Sequence, residues 1–144
     1  MKRKILILSL LLSGAYISLN AQISAIVGEW KTVDDKTGEI RAVVQIYKGA
    51  DNLYHGKIIK MFKYADAVCE KCEGADKDKP VLGMIIIRAM KADGDVLKDG
   101  YLLDPESGKK YYGTISFDAK TGKLKLRGSL DKRGWIGRNQ YWVK

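Results

Sequence analysis

The sequence predicts an all-β domain, an eight-stranded antiparallel up-and-down barrel, preceded by a signal peptide. Three observations carry that expectation. Short runs of apolar and β-branched residues alternate with Gly, Asp and Ser clusters at fairly even intervals, which is the pattern of antiparallel strands joined by tight turns. Three connecting stretches are near copies of one another: "DKTGE" (35–39), "PESGK" (105–109) and "AKTGK" (119–123). Each places a glycine where a type I turn followed by a left-handed residue requires one. Finally, Lys123, Lys125, Arg127 and Ser129 alternate with Leu124, Leu126, Gly128 and Leu130. One face of that strand therefore meets water and the other a core, and closure of such a meander into a barrel removes its exposed edges.

The chain opens on Met1-Lys2-Arg3-Lys4, runs through the apolar stretch "ILILSLLLSGAYISL" and reaches Asn20-Ala21-Gln22. A basic start, a short apolar centre and a small residue before the cut are the layout of a secretory leader. The apolar stretch is shorter than the ~20 residues that a bilayer-spanning helix requires, and no cysteine follows it at which a lipid would be attached. The expectation is a leader over 1–21, a single domain over 22–144, and a periplasmic or secreted product. Of the 144 residues, 123 then remain, and loss of Lys2, Arg3 and Lys4 reduces the formal net charge from +9 to +6. A chain of that size is one domain and buries a core without needing cross-links. Its lysines are scattered rather than clustered, as on a solubilising surface, although a positive excess also suits anionic surroundings.

Strands are expected at 28–33, 40–47, 54–62, 83–90, 100–103, 110–117, 123–130 and 135–143, and no segment reads as a convincing helix. Asp93-Gly94-Asp95 is too short for a calcium loop and reads as a bend. Only the connection from Phe62 to Gly83 breaks the rhythm of short links, and a connection of that length in a compact domain is usually functional or locally constrained. It contains Cys69-x-x-Cys72.

Gly28-x-Trp30 on the first strand and Arg138 on the last resemble the closed end of lipocalin-like barrels, where an arginine lies over the indole. More broadly, "GEW" (28–30), "CEKCEGADKDKPVLG" (69–83), "YLLDPESGKKY" (101–111), "LKLRG" (124–128) and "GRNQYW" (137–142) resemble a family of exported bacterial proteins. That family is domain of unknown function number 2147, thought to be lipocalin-like. The chain departs from the family's pattern at Asn139, where a threonine is usual, and in "SLDKRGW" (129–135), which is less apolar than its counterpart. The resemblance implies a lipocalin-like barrel in which Gly28, Trp30 and Arg138 serve closure, and it brings no activity.

The candidate chemistry is thin. Two thiols and one imidazole, His55, fall short of the four ligands of a structural zinc site. A thioredoxin-type centre needs a strand-to-helix setting that the pattern lacks. Cys69 and Cys72 therefore read first as a small-loop disulfide, then as a redox-active pair, and last as shared metal ligands. Asp104 and Glu106 could form a carboxylate pair, but the turn role of Asp104, Pro105 and Gly108 explains them as well. His55 has no orienting carboxylate or nucleophile beside it in sequence, and no nucleophile elbow, phosphate loop or metalloprotease helix is present.

The expectation is accordingly a non-enzymatic monomer without cofactor or metal. It would bind a small apolar or amphiphilic ligand, or an anionic envelope component rather than nucleic acid, at a mouth guarded by the 69–80 loop. Tyr54, Phe62, Tyr101, Tyr112 and Trp142 are the candidate ligand-binding rings. The alternatives are a packed barrel that docks an envelope partner through Lys123, Lys125 and Arg127, and a thiol–disulfide protein acting through Cys69 and Cys72.

Overall fold

The structure, a computed structural model, describes residues 19–144. The leader expected over 1–21 lies almost wholly outside the described residues. Eight strands follow one short helix: α1 (Leu19–Ile26), β1 (Gly28–Val33), β2 (Ile40–Lys48), β3 (Tyr54–Met61), β4 (Ile85–Asp93), β5 (Val96–Leu103), β6 (Lys110–Asp118), β7 (Lys123–Ser129) and β8 (Gly137–Trp142). They form one antiparallel sheet in sequence order. Its two edges meet through reciprocal bonds between Lys31 and Val143, N–H to O at 2.7 and 3.1 Å, so the sheet curls into a nearly closed barrel.

Alternation along each strand sends one set of side chains inward. Trp30, Val44, Ile46, Ile58, Ile87, Met90, Leu97, Ile115, Leu124 and Leu126 are all buried. Glycines on the inner face make room for their neighbours. A β-carbon on Gly56 would lie within 2.7–2.9 Å of Ile87, and one on Gly113 would lie 2.8 Å from Leu102 Cγ. Ile87, Met90 and Leu102 thus occupy the space that glycine leaves, and the middle of the barrel is packed with side chains in the way protein interiors are.

The absence of a helix is corrected by α1. Ile23 and Ile26 are three residues apart, which places them on one side of a helical turn. Both are buried, and α1 packs chiefly against β6. The leader pattern obscured this, because the expected cut after Ala21 falls inside α1.

The repeated turns share more than their glycines. In each, an aspartate at the strand end binds the next turn with its side chain: Asp34 accepts from the Lys36 and Thr37 amides, Asp104 from the Glu106 amide and Ser107 hydroxyl, and Asp118 from the Lys120 amide and Thr121 hydroxyl. Gly38, Gly108 and Gly122 follow with φ of 72°, 71° and 69°, each donating its N–H to that aspartate's carbonyl at 2.8 Å. Asp104 and Glu106 are therefore turn residues.

Several strand boundaries move. Asp93 and Val96 face each other across a two-residue reversal, so the expected bend is a hairpin that lengthens both β4 and β5. The β7 alternation ends at Gly128: Ser129 is buried and Leu130 exposed, because the Ser129 hydroxyl turns in to donate to the Asp131 carbonyl at 2.8 Å. Trp135 and Ile136 belong to the β7–β8 loop rather than to a strand, since their amides are taken by the Asp131 carboxylate.

Candidate functional site

The connections β1–β2, β3–β4, β5–β6 and β7–β8 share one end of the barrel, and α1 and the chain terminus share the other. Trp30 lies toward the helical end. Its Nε1 donates to the Ile26 carbonyl at 2.7 Å, its ring approaches Phe117, and Lys144 Nζ sits 4.0 Å from the ring centroid. This corrects the expected closure by Arg138. The Lys31–Val143 bridge sets residue 144 opposite Trp30, whereas Arg138 is six residues earlier on a strand that rises about 3.3 Å per residue. Arg138 is instead exposed at the other end, 3.6 Å from Asp35. Gly28 has a φ of 126° and lies beneath Lys144.

The long β3–β4 connection is a folded unit. Val68 pairs with Pro80, the Cys69 amide donates to the Lys79 carbonyl at 2.8 Å, and the Val81 amide donates to the Ala67 carbonyl at 2.9 Å. A single helical turn at Gly74–Asp76 rounds the tip. Cys69 and Cys72 form a disulfide, and both are buried. Cys69 Sγ lies 3.2 Å from the Pro105 carbonyl oxygen, a packing contact because a bridged sulfur carries no proton.

This unit rests on the outside of the barrel and does not cross its opening, which corrects the expected flap at the mouth. Arg88 and Leu103 have the parity opposite to the inward Ile87 and Leu102, so they face outward. Arg88 nevertheless grips Asp76 through two bonds of 2.8 Å, and Leu103 is buried. The loop covers them both. The Arg88 guanidinium, through hydrogen bonds first, holds the Asp76 carboxyl below the usual carboxylate range. Lys71 presses its carbonyl against Gly108, where no β-carbon would fit.

A groove of about 530 Å³ runs between this unit and the wall of β3 and β4. Pro80, Leu82, Met84 and Ile85 give it apolar sides, while Lys79 and the Asp76–Arg88 pair lie at its polar margin. His55 also borders it, and here Asp51 corrects the reading of an unsupported histidine. The Asp51 carboxylate lies 2.9 Å from His55 Nε2, and the Ala89 amide donates to Nδ1 at 3.3 Å. Nε2 therefore carries the proton, and both ring nitrogens are engaged. The Leu53 amide, and then His55, lower the Asp51 pKa. Such a ring pins the β2–β3 loop to β4 and has no lone pair left for base catalysis. A smaller recess of about 270 Å³, bordered by Ile23, Val27, Lys48 and Tyr54, opens beside α1.

The five candidate rings are not brought together. Tyr54 is half-buried beside the small recess, and Phe62 is exposed at the looped end beneath Lys60 Nζ, 4.8 Å from its centroid. Tyr101 and Tyr112 are neighbours on the outer wall with centroids 6.0 Å apart. Trp142 is buried, and its Nε1 has no acceptor among the described residues. Sequence reasoning missed the groove because part of its wall, Gly83 to Ile85, lies in a stretch that alternation assigned to a strand. Arg127, proposed as part of an outer docking face, instead spends its guanidinium on the β7–β8 loop, with Nε to the Gly134 carbonyl at 2.8 Å. Among the described residues, no group of three or more His, Cys, Asp or Glu is placed to hold a metal ion.

An order-preserving eight-stranded antiparallel barrel, nearly closed between β1 and β8, is a lipocalin-like fold. The chain belongs to the family of uncharacterized proteins conserved in bacteria that carry domain of unknown function 2147, whose model matches residues 28–144. Its fold is similar to that of HP1028 from the human pathogen Helicobacter pylori, a protein reported to belong to the lipocalin family. The TM-score is 0.69 at 16% sequence identity, covering 82% of this chain and 81% of that one. No curated protein matches. No described helix is long and apolar enough to cross a membrane.

Proposed function

We propose that this is an exported, non-enzymatic binding protein that holds a small amphiphile on its outer wall, in the groove beneath the disulfide-bonded loop. The groove itself carries the reading. Its volume lies within the ~300–1,000 Å³ usual for small-molecule sites, and its sides are apolar. Its margin presents the Lys79 ammonium, while Asp76 and Arg88 neutralise each other. An aliphatic or aromatic body with one anionic head matches that layout. The packed centre of the barrel directs binding to the wall.

Titration of the purified protein with an anionic lipophilic dye, beside native mass spectrometry of protein taken from its own cells, tests this. Leu82 is partly exposed, so Leu82→Glu leaves the fold intact while placing a negative charge in the groove. Saturable dye binding that weakens at least ~10-fold in this variant is expected, the loss of about 1.4 kcal/mol or more. No saturable binding, or binding that Leu82→Glu does not change, overturns the proposal. Export rests on the leader pattern. A protein recovered from the envelope fraction with Gln22 as its first residue is the expected result.

The disulfide supports a structural role over thiol exchange. Exchange requires an attacking thiolate to reach a sulfur, and both sulfurs belong to buried residues packed against the β5–β6 turn.

A further inference from the structure

The β7–β8 loop, residues 130–136, is built inside out. Leu130, Trp135 and Ile136 are 65%, 78% and 65% exposed, and they follow one another around a single tight connection. The Asp131 side chain and the backbone groups of the same loop are turned inward. The Asp131 carboxylate accepts from the Trp135 and Ile136 amides at 3.1 and 2.7 Å, and its carbonyl accepts from the Gly134 amide and the Ser129 hydroxyl. The Leu130 amide donates to the Ile136 carbonyl at 2.9 Å and closes the base. Arg127 reaches up from β7 to the Gly134 and Trp135 carbonyls and is steadied by Asn139 Oδ1 at 3.2 Å. A flexible, solvated loop would need none of this. The network holds three large apolar side chains in water, against the direction in which burial would drive them.

Charge on the loop is equally one-sided. Asp131 is consumed by the loop's own amides, which hold its pKa below the usual carboxylate range. Lys132 and Arg133 remain outside, with the Arg133 guanidinium 5.7 Å from the Trp135 ring centroid. The same end of the barrel carries Phe62 and Tyr64, 45% and 70% exposed, with Lys60 over the Phe62 ring. Tryptophan, aliphatic side chains and flanking cations together suit one environment, the boundary between anionic headgroups and acyl chains. There the indole and aliphatic groups leave water while the ammonium and guanidinium groups stay with the phosphates.

We infer that the 130–136 loop is a preformed docking tip that seats this barrel on the surface of an anionic lipid bilayer. Leu130, Trp135 and Ile136 enter the headgroup boundary, Lys132 and Arg133 bind lipid phosphates, and Arg127 and Asp131 keep the tip shaped in the absence of lipid. Two weak signals, apolar contact and charge, are combined in one loop, as stable surface anchoring requires. The seating is independent of the wall groove, which lies on β3, β4 and the disulfide-bonded loop.

The test uses purified protein and two sets of vesicles, one of phosphatidylcholine and one of equimolar phosphatidylcholine and phosphatidylglycerol. Trp30 and Trp142 are buried, so Trp135 is the indole whose emission responds to a change of medium. Co-sedimentation with the anionic vesicles and a blue shift of that emission are expected, and both should weaken with rising salt. The double variant Trp135→Ser/Ile136→Ser should bind at least ~10-fold less, with an unchanged circular dichroism spectrum and melting temperature. Lys132→Glu/Arg133→Glu should lose binding at least ~10-fold, since each reversal replaces an attraction to the anionic surface by a repulsion. Leu82→Glu should bind vesicles as the parent does. Equal binding to both vesicle types, no binding to either, or binding unchanged in the Trp135→Ser/Ile136→Ser variant overturns the inference. So does a soluble protein partner that requires Trp135 in the absence of vesicle affinity.

Discussion

Gly38, Gly108 and Gly122 occupy the same position in three copies of one turn, with nearly the same φ, yet their surroundings differ. Nothing lies within 4 Å of a β-carbon on Gly38 or Gly122, whereas one on Gly108 would overlap the Lys71 carbonyl. Alanine at Gly38 or Gly122 carries only the left-handed penalty of about 1–2 kcal/mol. Gly108→Ala should exceed that by a further ~1–2 kcal/mol, because it pushes the disulfide-bonded loop off the β5–β6 turn. Urea denaturation of the three variants measures the difference, and equal losses would show that the loop does not bear on Gly108. The turn motif was readable from its glycines and from the Thr or Ser before them. The two aspartates that organise the first and third turns, Asp34 and Asp118, were not singled out, since each stands at the end of a strand and outside the repeated five residues. His55 shows the same limit: its partner Asp51 is only four residues away, but a loop conformation had to bring them together.

At the scale of elements, strand existence was legible and strand ends less so. β1 and the starts of β2, β3, β6 and β7 fall where alternation and turn chemistry put them. The ends of β7 and the start of β8 do not, because Leu130, Trp135 and Ile136 have the apolar character of strand residues but lie in a loop shaped by Asp131 and Arg127. The 67–81 unit was recognised as constrained, and its constraint has three parts: the disulfide, the Val68–Pro80 pairing and the Asp76–Arg88 fork. Closing so small a ring restricts the unfolded chain by an amount on the order of 2 kcal/mol. Cys69→Ala/Cys72→Ala should therefore lower stability by about that much and speed hydrogen exchange of the amides from Ala67 to Val81, leaving the strand amides protected. Loss of protection throughout the barrel would show instead that the loop is part of its folding core.

For the molecule as a whole, acid sensitivity should come from the aspartates that tie its ends together. The Thr37 amide, then Arg41 and the Lys36 amide, lower the Asp34 pKa from 3.8 to about 2. Asp76, Asp118 and Asp131 are lowered as well, through Arg88, Thr121 and the Ile136 amide respectively. A depressed carboxyl binds fewer protons when folded than when unfolded, so its stabilisation is complete above the unfolded value and disappears as pH falls through the folded one. Stability should thus be level above about pH 5 and decline from pH 4 toward pH 2. Asp34→Asn should make that decline shallower, as measured by the urea midpoint at each pH. A slope unchanged by the substitution would place the acid response on other groups.

By itself the sequence determined the fold class, the number and order of strands, and the constrained nature of the connection from Phe62 to Gly83. Those properties depend on short-range periodicity and on turn residues whose φ preferences are local. Only the tertiary structure decided that Lys144 rather than Arg138 covers Trp30, that the disulfide-bonded loop lies on the wall rather than over the mouth, and that the centre is packed. Each of these depends on the register between segments far apart in the chain and on the volume left by facing side chains. Neither quantity is written in the spacing of residues along one strand.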